Sequence, residues 1–324
     1  MTNNVNENEQ PIFDEGTNRR NENQESTQER VNFDEKNYLN TRLSGKESKR
    51  TTNVRIVLTK DNDGKYKVAI PVEVHSLKLN ENQNKEFKIS KNGYKSFICL
   101  NDPHLDVDSD GCPLCKKVND LFEDANKVKK TDPAQHKAIC KQAYSYQTKT
   151  TYIARVIERG HEDEGIKFWR FNKHDDGTGI FDMLRQFYDT YKSAGENIFD
   201  YTNGRDIQIT LTKKVDTDKN GNKKEKTGIM LMVDVKQSPL STDEEQIDSW
   251  VNDEKDWRDM YRSKSPEYLE LIANDQTPVY DKAQKKFVPY VPKGKNNEAI
   301  SQEEKQQLKE QAQFEDKPDE DLPF

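Results

Sequence analysis

Apolar residues are scarce in this sequence. Only 31% of its 324 residues are hydrophobic while 34% are charged, so the core must be smaller than the length suggests. No run approaches the roughly eighteen apolar residues that a membrane-crossing helix needs, which excludes an integral membrane role and leaves no membrane partner. Met1-Thr2-Asn3-Asn4-Val5-Asn6 offers neither a basic start nor an apolar stretch, so no secretory leader is expected. Cysteine is rare too. Four in a chain this long do not read as a disulfide framework and suit a metal site better. HExxH, GxSxG and the phosphate-binding loop are all absent, and with them the common catalytic constellations. An enzyme is not expected.

The charge that is present is unevenly spread. Residues 51–240 carry 32 basic against 28 acidic side chains, whereas residues 241–324 carry 12 against 21. A mildly basic body followed by an acidic end points to a polyanion partner. Residues 1–37, rich in Asn, Gln and Glu, read as a disordered arm. Strands are expected at 54–58, 66–74, 87–89, 94–100, 143–158, 166–172, 206–213 and 228–235, with turns at 61–64 and 216–224. Helical spacing appears at 114–129, at 179–193 and at 243–273. Strands without regular β-α alternation favour a small antiparallel barrel over a doubly wound fold. The expected organisation is a mainly β core over 38–240, a helical region over 241–295 and a disordered acidic tail over 296–324.

Cys112-Pro113-Leu114-Cys115 is a CxxC knuckle preceded by Gly111. Two thiolates on one tight turn can fill two corners of a tetrahedron, the geometry zinc prefers. Two pairs could complete it. His136 and Cys140 form a local set, and His75 with Cys99 a distributed one; His104 is a weaker candidate in an acidic loop. Spacing alone ranks the local set slightly ahead. Either set gives four protein ligands, which closes the shell and implies one structural Zn2+ without an open position for water. The deaminase signature fails as well, since no His-x-Glu precedes the knuckle.

Residues 137–173 interleave cations and rings. Lys141, Lys149, Arg155, Arg170 and Lys173 suit phosphates, and Tyr144, Tyr146, Tyr152 and Trp169 suit base stacking. In a strand over 143–158, Lys149 and Arg155 would share one face, with Tyr144, Tyr146 and Tyr152 on the other. The bland alternative is that the rings pack the core and the cations are merely solvated. The chain ends Asp319-Glu320-Asp321-Leu322-Pro323-Phe324, an acidic tip closing on apolar residues and an aromatic carboxylate. That tip resembles the C-terminus of bacterial single-stranded DNA-binding proteins, which recruits replication and repair partners.

A second resemblance covers about residues 50–235. The residues 54–58, Val74-His75, Cys99, Cys112-Pro113-Leu114-Cys115, 149–154 and Trp169-Arg170-Phe171 follow the order and approximate spacing of a known family. The chain resembles the zinc-containing helix-destabilising single-stranded DNA-binding proteins of T-even-like bacteriophages. The resemblance implies His75, Cys99, Cys112 and Cys115 as ligands, which reverses the ranking from spacing. It implies an OB-fold barrel with a zinc subdomain around 75–140 and a basic, aromatic-lined cleft for single-stranded DNA. It also implies work in phage DNA replication, recombination and repair, in the cytoplasm of an infected bacterial host, with self-association on DNA. The family's short basic N-terminal arm has no counterpart in residues 1–35, and Cys140 is left over. Two other classes fit the residues: a single-stranded RNA or general nucleic-acid chaperone, and a zinc-stabilised recruitment scaffold. An acidic tail should compete with DNA for a basic cleft, so deleting residues 301–324 is expected to tighten oligothymidylate binding in a titration. Unchanged or weaker binding would refute that competition.

Overall fold

A computed structural model describes residues 35–60, 64–87, 94–105, 111–173, 177–217, 221 and 223–290. The sheet is organised by β6 (Thr148–Glu158), whose residues 151–157 are all buried. Such a run lacks alternation because both of its faces are covered. β7 (Lys167–Asn172) pairs with β6 over 151–156. β1 (Lys49–Val57) pairs over 155–158, and β4 (Ile70–Leu77) over 148–153. Since β7 takes one edge of β6, β1 and β4 must follow each other end to end along the other. Between them the chain leaves the sheet as a small hairpin of β2 (Thr59–Lys60) and β3 (Tyr66–Lys67).

β1 also pairs through Lys49–Val54 with β8 (Arg205–Thr217), which forms a long hairpin with β9 (Lys223–Gln237). β5 (Lys95–Ile98) lies at the opposite end, beside β4. The order is therefore β5-β4-β6-β1-β8-β9, with β7 on the remaining edge of β6. The expected mainly β architecture is present, but this sheet is not closed into a barrel. Its opening is bridged by a helix. α4 (Ile180–Ser193; the helices α1–α3 precede it and are described below) touches both β7 and β9. It sends Phe181, Leu184 and Tyr188 into the core that holds Trp169, Phe171 and Leu231.

The remaining helices depart further from expectation. α1 (Glu81–Glu86) precedes Phe87 at the head of the expected 87–89 strand, of which 88 and 89 lie outside the described residues. The helix foreseen at 114–129 is α2 (Pro113–Val128). The strand foreseen from 143 begins at 148, because α3 (Pro133–Tyr146) runs up to it. Asp132 caps α3 by accepting from the Ala134 and Gln135 amides, with Pro133 in the first turn, a favourable start. Only Ala143 of α3 is buried, so the helix has no apolar stripe for periodicity to reveal.

The stretch foreseen as one helical region breaks into α5 (Glu244–Val251), α6 (Trp257–Met260) and α7 (Pro266–Ala273). It is followed by a hairpin of β10 (Pro278–Asp281) and β11 (Lys286–Pro289). These helices return across the whole body. Trp250 joins the main core, Trp257 and Tyr261 pack with Ile70, Val72 and Ile153, and Tyr268, Leu269 and Ile272 pack around Cys99 and Cys112. Order begins where expected, with Leu39 buried and its amide bonded to the Phe168 carbonyl. Glu35–Asn37 forms a 3-10 turn. The rest of the foreseen arm, residues 1–34, and the tail from 291, with Asp319, Glu320, Asp321, Leu322, Pro323 and Phe324, lie outside the described residues. No described helix is long and apolar enough to cross a membrane.

Two arginines and one carboxylate tie the sheet together. Arg55 on β1, whose side chain is fully buried, donates to Asp206 on β8 at 2.7 Å and to both oxygens of Ser238. Arg159 grips the same carboxylate through two nitrogens at 3.0 Å and also donates to the Leu240 carbonyl. Burial lowers the Arg55 pKa while Asp206 raises it. Removing the carboxylate leaves a buried cation unpaired, a loss of about 3–5 kcal/mol. Asp206→Ala is therefore expected to lower unfolding stability by that amount in a urea titration with the metal content held constant.

Candidate metal centre

His75, Cys99, Cys112 and Cys115 converge, and their ligand atoms all lie within 4.8 Å of one another. Each is delivered by a separate local rule. His75 sits on β4 opposite Phe97 and Thr148, fully buried. Cys99 follows β5 directly and is held to β4 by its amide, which donates to the Glu73 carbonyl at 2.8 Å. Cys112 is the N-cap of α2, and Cys115 lies in its first turn. The turn before them needs a left-handed residue, and Gly111 supplies it with φ of 105°. Asn101 then fixes the knuckle, its Oδ1 accepting from the Cys112 amide at 2.9 Å.

The spacings have the scale of a coordination shell. Cys112 Sγ and Cys115 Sγ lie 3.4 and 3.6 Å from His75 Nε2, and Cys99 Sγ lies 3.4 Å from Cys115 Sγ. A tetrahedron with zinc–sulfur bonds of ~2.3 Å has edges of about 3.8 Å. The histidine is also oriented as a ligand. Nδ1 lies 2.6 Å from the Tyr146 carbonyl, which can only accept, so Nδ1 carries the proton and Nε2 is left facing the sulfurs.

Electrostatics fit a cation in the same place. Hydrogen bonds from Cys115 and Cys99 hold the Cys112 thiol far below its ordinary pKa, while those with Cys112 and Cys115 push the Cys99 thiol far above it. Burial opposes charge on His75, yet hydrogen bonds with Cys112 and Cys115 raise its pKa to about 9. Three crowded thiols share one negative charge among themselves. A divalent ion would let all three ionise. The N-terminal dipole of α2 favours the same charge state at Cys112 and Cys115.

The other foreseen ligands stand apart. His136 and Cys140 lie one turn apart on α3, with Nε2 and Sγ 3.5 Å from each other, and are not members of the four-residue cluster. His104 pairs with Asp102 at 3.1 Å. The residues that orient the site, Asn101 and Tyr146, escaped notice in the sequence. Asn101 acts through an amide cap and Tyr146 through its main chain, and neither leaves a ligand-type signal.

The foreseen DNA contacts divide by burial. Tyr152 and Trp169 are fully buried, Tyr152 with its ring stacked on Phe181 at 4.1 Å and Trp169 packed on Phe171. Neither can stack on a base without opening the core, so both are corrected to core residues. Arg155 is buried too and donates to the Trp250 and Asp253 carbonyls, tying β6 to the end of α5. Arg170 is buried with its guanidinium 5.7 Å from the Tyr261 ring and its Nε donating to Thr151. These two are core-facing as well, because strand β6 has no solvent face. Tyr146 is half-buried, and its hydroxyl donates to Asp275 at 3.3 Å. Lys141, Tyr144, Lys149 and Lys173 remain exposed, Lys173 with its ammonium 5.8 Å from the Phe181 ring.

No family model and no curated protein matches this chain. The cluster predicts a simple pattern of metal content. His75→Ala and Cys115→Ser are expected to lose bound metal, whereas His136→Ala and Cys140→Ser retain it, as read by elemental analysis of purified protein. Retention in the first two with loss in the others would move the site to α3.

Proposed function

We propose that this chain is a sequence-independent single-stranded DNA-binding protein whose Zn2+ is structural. The observation that carries the reading is the ligand set. Spacing alone favours His136 and Cys140, yet the residues gathered at one point are His75, Cys99, Cys112 and Cys115, the set implied by the resemblance to T-even-like helix-destabilising proteins. Four protein ligands leave no position for substrate, so the ion would fasten β4, β5 and α2 to one another.

The nucleic-acid part rests on what stays reachable. On α3, Lys137, Lys141 and Tyr144 follow one another at i, i+4 and i+7, so they share one stripe of the helix. All three are exposed, and Tyr144 retains 60% of its surface while meeting Phe122 edge-on. Lys149 follows at the start of β6. Cations that follow phosphates beside a ring that stacks on bases are the elements of non-specific single-strand binding. Protecting unpaired strands and melting secondary structure would follow from preferring the unpaired form. In this reading the protein works in phage replication, recombination and repair, and the tip at 319–324 recruits partners.

Titration of zinc-loaded protein with oligothymidylate at several salt concentrations tests the reading. Affinity is expected to fall steeply with salt, Lys141→Ala to reduce the salt slope by about 1, and Tyr144→Ala to cost ~1–3 kcal/mol. Indifference to oligothymidylate even in dilute buffer would leave the recruitment scaffold, and tighter binding to an RNA oligomer of matched sequence would select the RNA chaperone.

A further inference from the structure

Among the described residues β9 pairs only with β8, so its other edge is open. Open edges are ordinarily interrupted by charge, proline or bulges, because unpaired amides and carbonyls template a further strand. β9 protects itself only at its ends. Lysines occupy 223, 224, 226 and 236, whereas Gly228-Ile229-Met230-Leu231-Met232-Val233 holds no charge at all. Leu231 turns into the core, but Met230 and Met232 keep 52% and 51% of their surface and Val235 keeps 83%. An apolar row on an open edge therefore lacks a partner within the described fold.

We propose that a second copy of this chain pairs with this edge, β9 against β9, antiparallel about a two-fold axis at Met230. A two-fold pairing must bring residues of the same strand face together. Centred on Met230, it places Lys226 opposite Asp234 twice, once on each side of the axis. Asp234 is the only acidic residue of β9 beyond Glu225, so the register is selected by complementary charge. Met230 faces its own copy, and Met232 faces Gly228, across which the stem of Lys214 already lies. The second copy's Met232 would pack on that aliphatic stem. Beyond Asp234 the register sets Lys236 against Lys224. Like charges therefore end the pairing there, and Arg205 also engages the Asp234 and Val235 carbonyls. The paired segment is 226–234. None of this depends on nucleic-acid binding.

Sedimentation of the full, metal-loaded chain is expected to show a dimer, and Met230→Lys with Met232→Lys to convert it to monomer. Lys226→Asp alone should dissociate it, and adding Asp234→Lys should restore it. A cysteine at the axis faces its own copy at a distance a disulfide can span. Met230→Cys is accordingly expected to cross-link on mild oxidation, and Val235→Cys, although more exposed, is not. The proposal is overturned by a monomeric wild-type chain, by a dimer that survives the two lysines, or by equal cross-linking from positions 230 and 235. A dimer that appears only after residues 301–324 are deleted would assign the edge to the tail and overturn it too.

Discussion

One point of convergence governs the outer half of this protein. His75, Cys99, Cys112 and Cys115 come from β4, the end of β5 and the start of α2. The α2–α3 hairpin is held at both ends by the same place. It begins on the Cys112–Cys115 turn and ends at Tyr146, whose carbonyl receives the His75 Nδ1 proton. Little else holds that hairpin, since α3 buries only Ala143. Three thiols and an imidazole packed this closely are poorly matched to one another and well matched to a cation. A small apolar cluster including Leu114, Phe97 and Leu269 closes over them.

The inner half solves a different problem with different means. A chain poor in apolar residues cannot fill its sheet with aliphatic side chains alone, and it builds cations into the interior instead. Arg55, Arg155, Lys167 and Arg170 are all buried. Each is partnered: Arg55 by Asp206, Arg155 by main-chain carbonyls at the end of α5, Lys167 by Glu158 and Glu164, and Arg170 by Thr151 and the Tyr261 ring. Buried charge of this kind stabilises only when its partners are in place. The open sheet follows from the same economy, with α4 spanning from β7 to β9 where further strand pairing would be needed.

This explains which sequence signals were legible. α2 and α4 announced themselves, the first by its Cys-Pro start and the second by apolar residues at helical spacing, and both fall within a residue of their expected bounds. The β8–β9 hairpin was marked by the turn residues around Gly221. α3 was not legible, because a helix exposed on nearly every side has no stripe. The interleaved cations and rings of 137–173 misled for a related reason. On an exposed strand such a pattern suits nucleic acid, but on β6 and β7, covered on both faces, it becomes a core of Tyr152 and Trp169 pinned by Arg155 and Arg170.

The sequence by itself determined the knuckle turn, the short list of soft ligands, the β-rich body and the uneven charge, because each depends on neighbours along the chain. Which histidine and which third cysteine join the knuckle was decided only in three dimensions. Strand pairing brings His75 and Cys99 to Cys112 across long separations in sequence, while the helix carries His136 and Cys140 away to their own pair. The exposure of each ring and cation was settled in the same way, since burial is a property of the whole packed body and not of any local segment.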